Sequence, residues 1–299
     1  RPNPKEVPLK PAPFRYAAPR TVDEAVTLLG EHAGDARVLA GGQSLVPLMN
    51  MRLATPSMLV DINKIGDLAY VRPWDGGLAI GALTRDSTLE HDAEVARRLP
   101  LLVQAASHVG HPAIRNRSTV GGSVAHADPA AELPTALLAL DAQVVVRGPG
   151  GERTMPIGDF FQGYLQTALA PEELLVEVRV PALPAGAGTA FVEFARREGD
   201  YALAGVAAAL TIGADGTIAD ARLALCAVGP TALRAREAEA ALKGQRPGPE
   251  AWLAAAEAVR AAITEPPSDV HGSGDYRRHL AGVLTRRALA AAAARATAA

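Results

Sequence analysis

Two Gly-Gly pairs, each delivered by a short apolar run and each trailed by small polar residues, constrain this chain more than any other feature. The first is Leu39-Ala40-Gly41-Gly42-Gln43-Ser44-Leu45 and the second is Thr119-Val120-Gly121-Gly122-Ser123. Glycine reaches positive φ and lets a backbone come close to a ligand, and successive N–H groups form a concave nest that favours an anion. Gln43 and Ser44 add side-chain donors. A single Gly-Gly pair is as often plain turn punctuation as an anion cradle. Two pairs in two lobes can grip a diphosphate from both sides. Neither carries the lysine of a Walker loop or the spaced G-x-G-x-x-G of a Rossmann turn. Past the second pair come His126, Asp128 and Glu132. Both carboxylates are placed to accept hydrogen bonds from sugar hydroxyls or to cap a helix starting near Pro129. The cap is favoured for Asp128 and the ligand for Glu132.

The elements around these loops divide the chain in three. Thr21 and Glu24 form a capping box ahead of Ala25, Val26, Leu28 and Leu29, predicting a helix that ends by Gly34. Strands are expected at Val38 to Ala40 and Met58 to Ile62, giving a first α/β lobe over 1–64. A second α/β lobe over 65–182 is expected from Leu78 to Leu83, a helix around Leu101 to Val109, a glycine turn at Gly121-Gly122, a helix near Ala130 to Leu140 and a strand at Gln143 to Arg147. The turn-forming run Pro181 to Gly188 marks a boundary. Beyond it, over 183–299, three antiparallel strands are expected at Thr189 to Ala195, Gly205 to Ile212 and Ile218 to Ala227, with a hairpin at Asp215-Gly216. Helices then follow at Thr231 to Lys243, Glu250 to Thr264 and from Asp275 toward a fraying end near Ala299.

Composition excludes several classes. Thirty basic against 32 acidic side chains leave a net charge of -2, too little to hold nucleic acid. Cys226 is the one cysteine, so an iron–sulfur cluster, which needs about four thiolates, must come from another chain. Apolar runs such as Ala202 to Ile212 fall well short of a transmembrane segment. Arg1 to Pro13 lacks the apolar core of a secretory signal, so a cytoplasmic setting is expected, although the chain opens on Arg1 and a trimmed leader stays an open alternative. The seven histidines lack metal-ligand spacing, and Ser44, Ser123 and Cys226 lack the company of a catalytic nucleophile. Arg277, Arg278, Arg286 and Arg287 read as a solvated helix face or a docking surface.

The run Val38 to Arg52, together with Arg115 to Pro129 (Arg-Asn-Arg-Ser-Thr-Val-Gly-Gly-Ser-Val-Ala-His-Ala-Asp-Pro), closely resembles the FAD-binding medium subunit of carbon monoxide dehydrogenase and related molybdenum hydroxylases, a module also present in xanthine dehydrogenase. The resemblance extends from Phe14-Arg15-Tyr16 through Arg196 to Ala202 and on to Asp275-Tyr276-Arg277-Arg278. It implies an α+β fold: a two-lobe FAD-binding module of the vanillyl-alcohol-oxidase (PCMH) type, plus a C-terminal α/β domain with a three-stranded antiparallel sheet and helices. It implies non-covalent FAD, with Leu39, Ala40, Gly41, Gly42, Gln43, Ser44 and Leu45 and with Thr119, Val120, Gly121, Gly122 and Ser123 about the diphosphate. Ala82, His126 and Asp128 would line the site, Glu132 would bind a hydroxyl, Leu175 would pack near a ring edge and Tyr201 would neighbour the isoalloxazine. It further implies an iron–sulfur small subunit carrying [2Fe-2S] clusters and a molybdopterin large subunit, assembled as a dimer of heterotrimers, with electrons relayed through FAD to an external acceptor. A free-standing FAD oxidase and a flavin-free assembly subunit are the alternatives. Two departures stand out: Phe191-Val192-Glu193-Phe194 has no lysine where many relatives carry one, and Ser118 replaces a common glycine.

Overall fold

A computed structural model describes residues 9–296. The stretch read above for a leader and the fraying last residues lie partly outside these. The first lobe comprises strand β1 (Arg15–Ala17), helix α1 (Val22–Glu31), β2 (Ala36–Leu39), α2 (Leu45–Asn50) and β3 (Met58–Asp61). Its three strands are parallel in the order β1-β3-β2. Thr21 caps α1 by accepting from the Glu24 N–H, as the capping pattern requires. Ala25, Val26 and Leu29 on the inner face of α1 pack on Met58 and Val60. A parallel strand pair needs a crossover, and α1 and α2 supply the two.

The second lobe holds β4 (Val71–Trp74), β5 (Gly77–Gly81), α3 (Asp86–His91), α4 (Ala93–Arg98), α5 (Pro100–His108), α6 (Pro112–Arg115), α7 (Val120–His126), α8 (Glu132–Ala139), β6 (Gln143–Gly148), β7 (Gly151–Pro156), α9 (Ile157–Phe160), β8 (Phe161–Gly163), β9 (Gln166–Thr167) and β10 (Leu174–Val180). A five-stranded sheet runs β4-β5-β10-β6-β7, and the small β8-β9 pair stands apart. In β10 the register shifts between Leu175 and Glu177, and the Val176 carbonyl leaves the ladder to accept from the Ala82 N–H at 2.9 Å.

The C-terminal unit has β11 (Gly188–Phe194), β12 (Ala204–Ile212), β13 (Ile218–Cys226), β14 (Leu233–Arg234), α10 (Arg236–Leu242), α11 (Pro249–Ala262) and α12 (Gly274–Arg295). The expected three strands gain a fourth, because Leu233 and Arg234 pair with Leu225 and Ala224. That edge strand occupies the start of the helix expected from Thr231, which begins only at Arg236. The Asp215-Gly216 hairpin forms, with Gly216 at φ 77°. β12 is buried along nearly its whole length, and its alternate residues serve different cores. Ala207 packs with the second lobe, while Val206, Ala208 and Leu210 pack under α11 and α12. Alanine at these positions lets both layers come close.

Arg277 departs from the solvated face expected of it. It is 5 % exposed, donates to the Leu203 and Ala227 carbonyls and pairs with Asp269 at 2.7 Å, so it ties α12 to the ends of two strands. Arg286 and Arg287 do lie on the surface. Among the described residues no helix is long and apolar enough to cross a membrane.

Candidate cofactor site

A cleft of about 990 Å³ opens where the three units meet. Its lining takes Ala40, Gly41, Gly42, Gln43, Ser44 and Leu45 from the first lobe, and Ala82, Thr119, Gly121, Gly122, Ser123, His126, Asp128, Glu132 and Leu175 from the second. Tyr201 enters it from the C-terminal unit. Leu39 and Val120 lie outside the lining. Leu39 packs beneath Gly42, and Val120 is fully buried in the core of the second lobe.

The two glycine pairs do touch. A Cβ on Gly41 would stand 2.4 Å from the Arg117 carbonyl oxygen and 2.7 Å from Ser118 Cα, and one on Gly122 would be 3.9 Å from Ala40 Cβ. Only glycine permits the approach at Gly41, whereas the Gly122 contact with Ala40 is an ordinary one. Gly42 is the one member of the four at positive φ, 77°, and it turns the chain from β2 into α2.

Their chemistry differs, which corrects the expectation of two equivalent turns. Gly121 and Gly122 form the first turn of α7, not a nest. Val120 N–H donates to the Thr84 carbonyl at 3.0 Å and Gly121 N–H to the Ala82 carbonyl at 2.9 Å. Gly122 N–H donates to Thr119 Oγ1 at 3.1 Å, and Ser123 N–H to the Thr119 carbonyl. The donors usually left open at a helix start are thus engaged here. In the first turn, by contrast, none of the N–H groups of Gly41, Gly42, Gln43, Ser44 or Leu45 donates within the protein among the described residues. Five successive unengaged amides lining a cleft are a cradle for an anion, and the lining also carries Arg37, whose Nη1 donates to the Gly34 and Ala36 carbonyls.

Two buried carboxyls face this space. Glu132, at the start of α8, has its pKa pushed up to about 8 by burial, with Glu193 and then Asp86 and Asp128 adding to the effect. At neutral pH it is therefore largely a neutral acid, able to donate as well as accept. Asp86 is fully buried, and burial raises its pKa to about 6 against the pull of the Ser118 hydroxyl, Arg85 and Arg115. Asp86 Oδ1 has no partner among the described residues. Asp86 is absent from the sequence reading, because nothing local to Thr84-Arg85-Asp86 reveals that the strand end runs beside residues 117–121. Ser118, the departure from the usual glycine, has negative φ and gives its hydroxyl to this carboxylate. Asp128 accepts from the Ala130 N–H at 2.9 Å, so it closes a turn ahead of α8 and does not cap the helix itself.

Tyr201 is 61 % exposed, which sets aside a core role. Although the ring is largely exposed, partial desolvation of the hydroxyl in the cleft and the nearby Asp128 raise its pKa, against the pull of the Ser44 hydroxyl. Glu193, at the position without the lysine, is buried with Oε1 3.3 Å from His108 Nδ1. Cys226 is fully buried, and burial, then Glu132 and Glu193, push its thiol well up. A Cβ on Gly205 would fall 2.5 Å from its sulfur. No group of three or more His, Cys, Asp or Glu suited to a metal occurs among the described residues.

The comparisons identify the family. Residues 12–183 match the FAD binding domain in molybdopterin dehydrogenase, and residues 189–292 match the CO dehydrogenase flavoprotein C-terminal domain. The chain is 44% identical to the 6-hydroxypseudooxynicotine dehydrogenase complex subunit alpha of Paenarthrobacter nicotinovorans, covering 96% of this chain and 97% of that one. It is 43% identical to the carbon monoxide dehydrogenase medium chain of Hydrogenophaga pseudoflava, covering 95% and 99%. The solved carbon monoxide dehydrogenase from Hydrogenophaga pseudoflava superposes with a TM-score of 0.93 at 45% identity, over 96% of this chain and 99% of that one. Quinoline 2-oxidoreductase from Pseudomonas putida 86 gives 0.90 at 39%, over 95% and 98%. An amide cradle between two lobes, a third unit closing the cleft and these matches along the whole length agree: the chain belongs to the FAD-binding medium subunits of the molybdenum hydroxylases.

Proposed function

We propose that the chain holds one FAD non-covalently in this cleft and passes electrons from an iron–sulfur small subunit to an external acceptor. The diphosphate lies against the amides of Gly41 to Leu45. Gly122 and Ser123 close its far side by shape and by the Ser123 hydroxyl. Glu132 meets a sugar hydroxyl, Ala82, His126, Asp128 and Leu175 wall the site, and Tyr201 flanks the isoalloxazine from the C-terminal unit. The unengaged run of five amides carries the reading, because it supplies dispersed positive charge where the first lobe comes against the Arg117 and Ser118 backbone of the second.

Bound FAD supplies the exchange between one-electron carriers and a two-electron acceptor. The protein's own part is to bind and orient. The Gly41 turn fixes the anion, and the close packing about Gly41 and Gly121 keeps the lobes in register. Electrons enter from [2Fe-2S] clusters of the small subunit, fed by a molybdopterin large subunit. Relatives named as subunits of such complexes support that assembly. Residues 1–64, 65–182 and 183–299 serve as the two FAD lobes and the covering domain, in a cytoplasmic dimer of heterotrimers.

An absorption spectrum of the native purified complex tests this. Flavin and iron–sulfur bands together, with two further chains co-purifying, are the expected result. A yellow, catalytically active lone chain would instead make it a free-standing oxidase, and a colourless chain with no uptake of FAD an assembly subunit.

A further inference from the structure

The two glycine turns touch, but contact alone does not set how the first turn presents its amides. Outside the cleft, in a second cavity of about 240 Å³, two polar side chains connect them. Asn63 follows β3 and donates through Nδ2 to the Ala40 carbonyl at 2.8 Å and to Asp61 Oδ1 at 2.6 Å. Its Oδ1 accepts from Arg85 Nη2 at 2.8 Å, and Arg85 Nη1 donates to the Arg117 carbonyl. Tyr16 holds the far oxygen of Asp61 at 2.6 Å. One orientation of the Asn63 amide satisfies all of these partners, since two acceptors face its nitrogen and a cation faces its oxygen.

The partners close a ring. Ala40 precedes Gly41, and Gly41 is the residue whose missing Cβ makes room for the Arg117 carbonyl that Arg85 holds. A peptide unit is planar, with its C=O and N–H pointing opposite ways. Asn63, by holding the Ala40 C=O outside the cleft, therefore aims the N–H of the same peptide, that of Gly41, the other way. That N–H is the first of the five unengaged donors.

We propose that Asn63 and Arg85 form a positioning strap that fixes the orientation of the Ala40-Gly41 peptide and the spacing of the two turns, and so sets how tightly the chain holds the FAD diphosphate without touching it. The inference rests on the FAD reading above. It assigns to these residues a role in diphosphate binding and none in binding the isoalloxazine.

The test is FAD titration of the full chain, freed of cofactor, for the wild type, Asn63→Ala, Arg85→Ala and the double variant, with melting of the FAD-free forms and phosphorus NMR of bound FAD. Either single change is expected to weaken FAD binding about tenfold to a hundredfold, the size of a lost charge-assisted contact. The double change should be little worse than one, because a ring is opened once. The diphosphate resonances should move while the visible flavin band stays in place, and the FAD-free melting points should stay within a few degrees of wild type. Should Arg85→Ala fail to fold, Arg85→Lys replaces it, since one ammonium cannot span Asn63 and the Arg117 carbonyl as a fork does. Unchanged affinity in Asn63→Ala, or additive losses matched by falling stability of the FAD-free chain, would overturn the strap while leaving FAD binding intact. A wild-type chain that takes up no FAD would overturn the cofactor reading, and the strap with it.

Discussion

The turns at Gly41-Gly42 and Gly121-Gly122 are nearly alike as sequence and opposite as chemistry. Both bring a glycine against foreign backbone: a Cβ on Gly41 would stand 2.4 Å from the Arg117 carbonyl oxygen, and one on Gly121 2.8 Å from the Ala82 Cα and carbonyl oxygen. Only the first leaves its amides free. The second gives its amides to the Ala82 and Thr84 carbonyls and to Thr119, and becomes a helix start. The difference teaches that a glycine pair states how near two backbones come, while the neighbouring acceptors decide whether its N–H groups remain for a ligand. One turn binds and the other braces.

Substitutions at the two turns separate these roles. Gly41→Val should have the largest effect, since the side chain would meet backbone that cannot move aside. FAD affinity is expected to fall about a hundredfold or more, a loss of about 2.7 kcal/mol at 25 °C, measured by flavin fluorescence titration. Glu132→Gln tests the acid between the turns. The carboxyl pKa is raised in the folded chain from its ordinary 4.5 to about 8, so the fold binds the proton more tightly than the unfolded chain does. Its contribution to stability is full below about pH 4.5 and is lost as pH rises through about 8. The FAD-free wild type should therefore lose melting temperature across that window, and Glu132→Gln should flatten the decline. A slope unchanged by the substitution would show that the acid is ordinary.

At the bracing turn, Gly121→Ala should lower stability by about 1–3 kcal/mol through overpacking against Ala82, read by urea unfolding. FAD affinity should change less than stability does. The smallest effect belongs to Thr119→Val, which removes the acceptor of the Gly122 N–H and should cost about 1 kcal/mol of stability. If Thr119→Val weakened FAD binding as strongly as Gly41→Val, the division between binding and bracing would collapse.

Much of this arrangement was legible in the chain. The first turn announces itself, because an apolar strand, a Gly-Gly pair and small donors carry their own local physics. The Thr21 cap and the Asp215-Gly216 hairpin are local in the same way. The second turn was not legible in its chemistry, since the Ala82 and Thr84 carbonyls that take up its first amides arrive from the segment just after β5, remote in sequence. Asp86, Asn63 and Arg85 escaped for the same reason: each acts through a group more than twenty residues away in the chain, the Ser118 hydroxyl, the Ala40 carbonyl and the Arg117 carbonyl. Arg277 looked like one more charge on a polar helix, and only the two carbonyls and the aspartate around it explain its burial. The edge strand at Leu233–Arg234 is two residues long, too short to leave a periodic signal.

The buried Cys226 carries one last consequence. A thiol becomes nucleophilic as its thiolate, and this one is sealed behind Gly205 with its ionisation suppressed. In air or peroxide the folded chain offers no exposed sulfhydryl to oxidise or cross-link. A cysteine introduced anywhere on the surface would therefore accept a maleimide dye alone, making the chain ready for single-position labelling without any prior removal of native thiols.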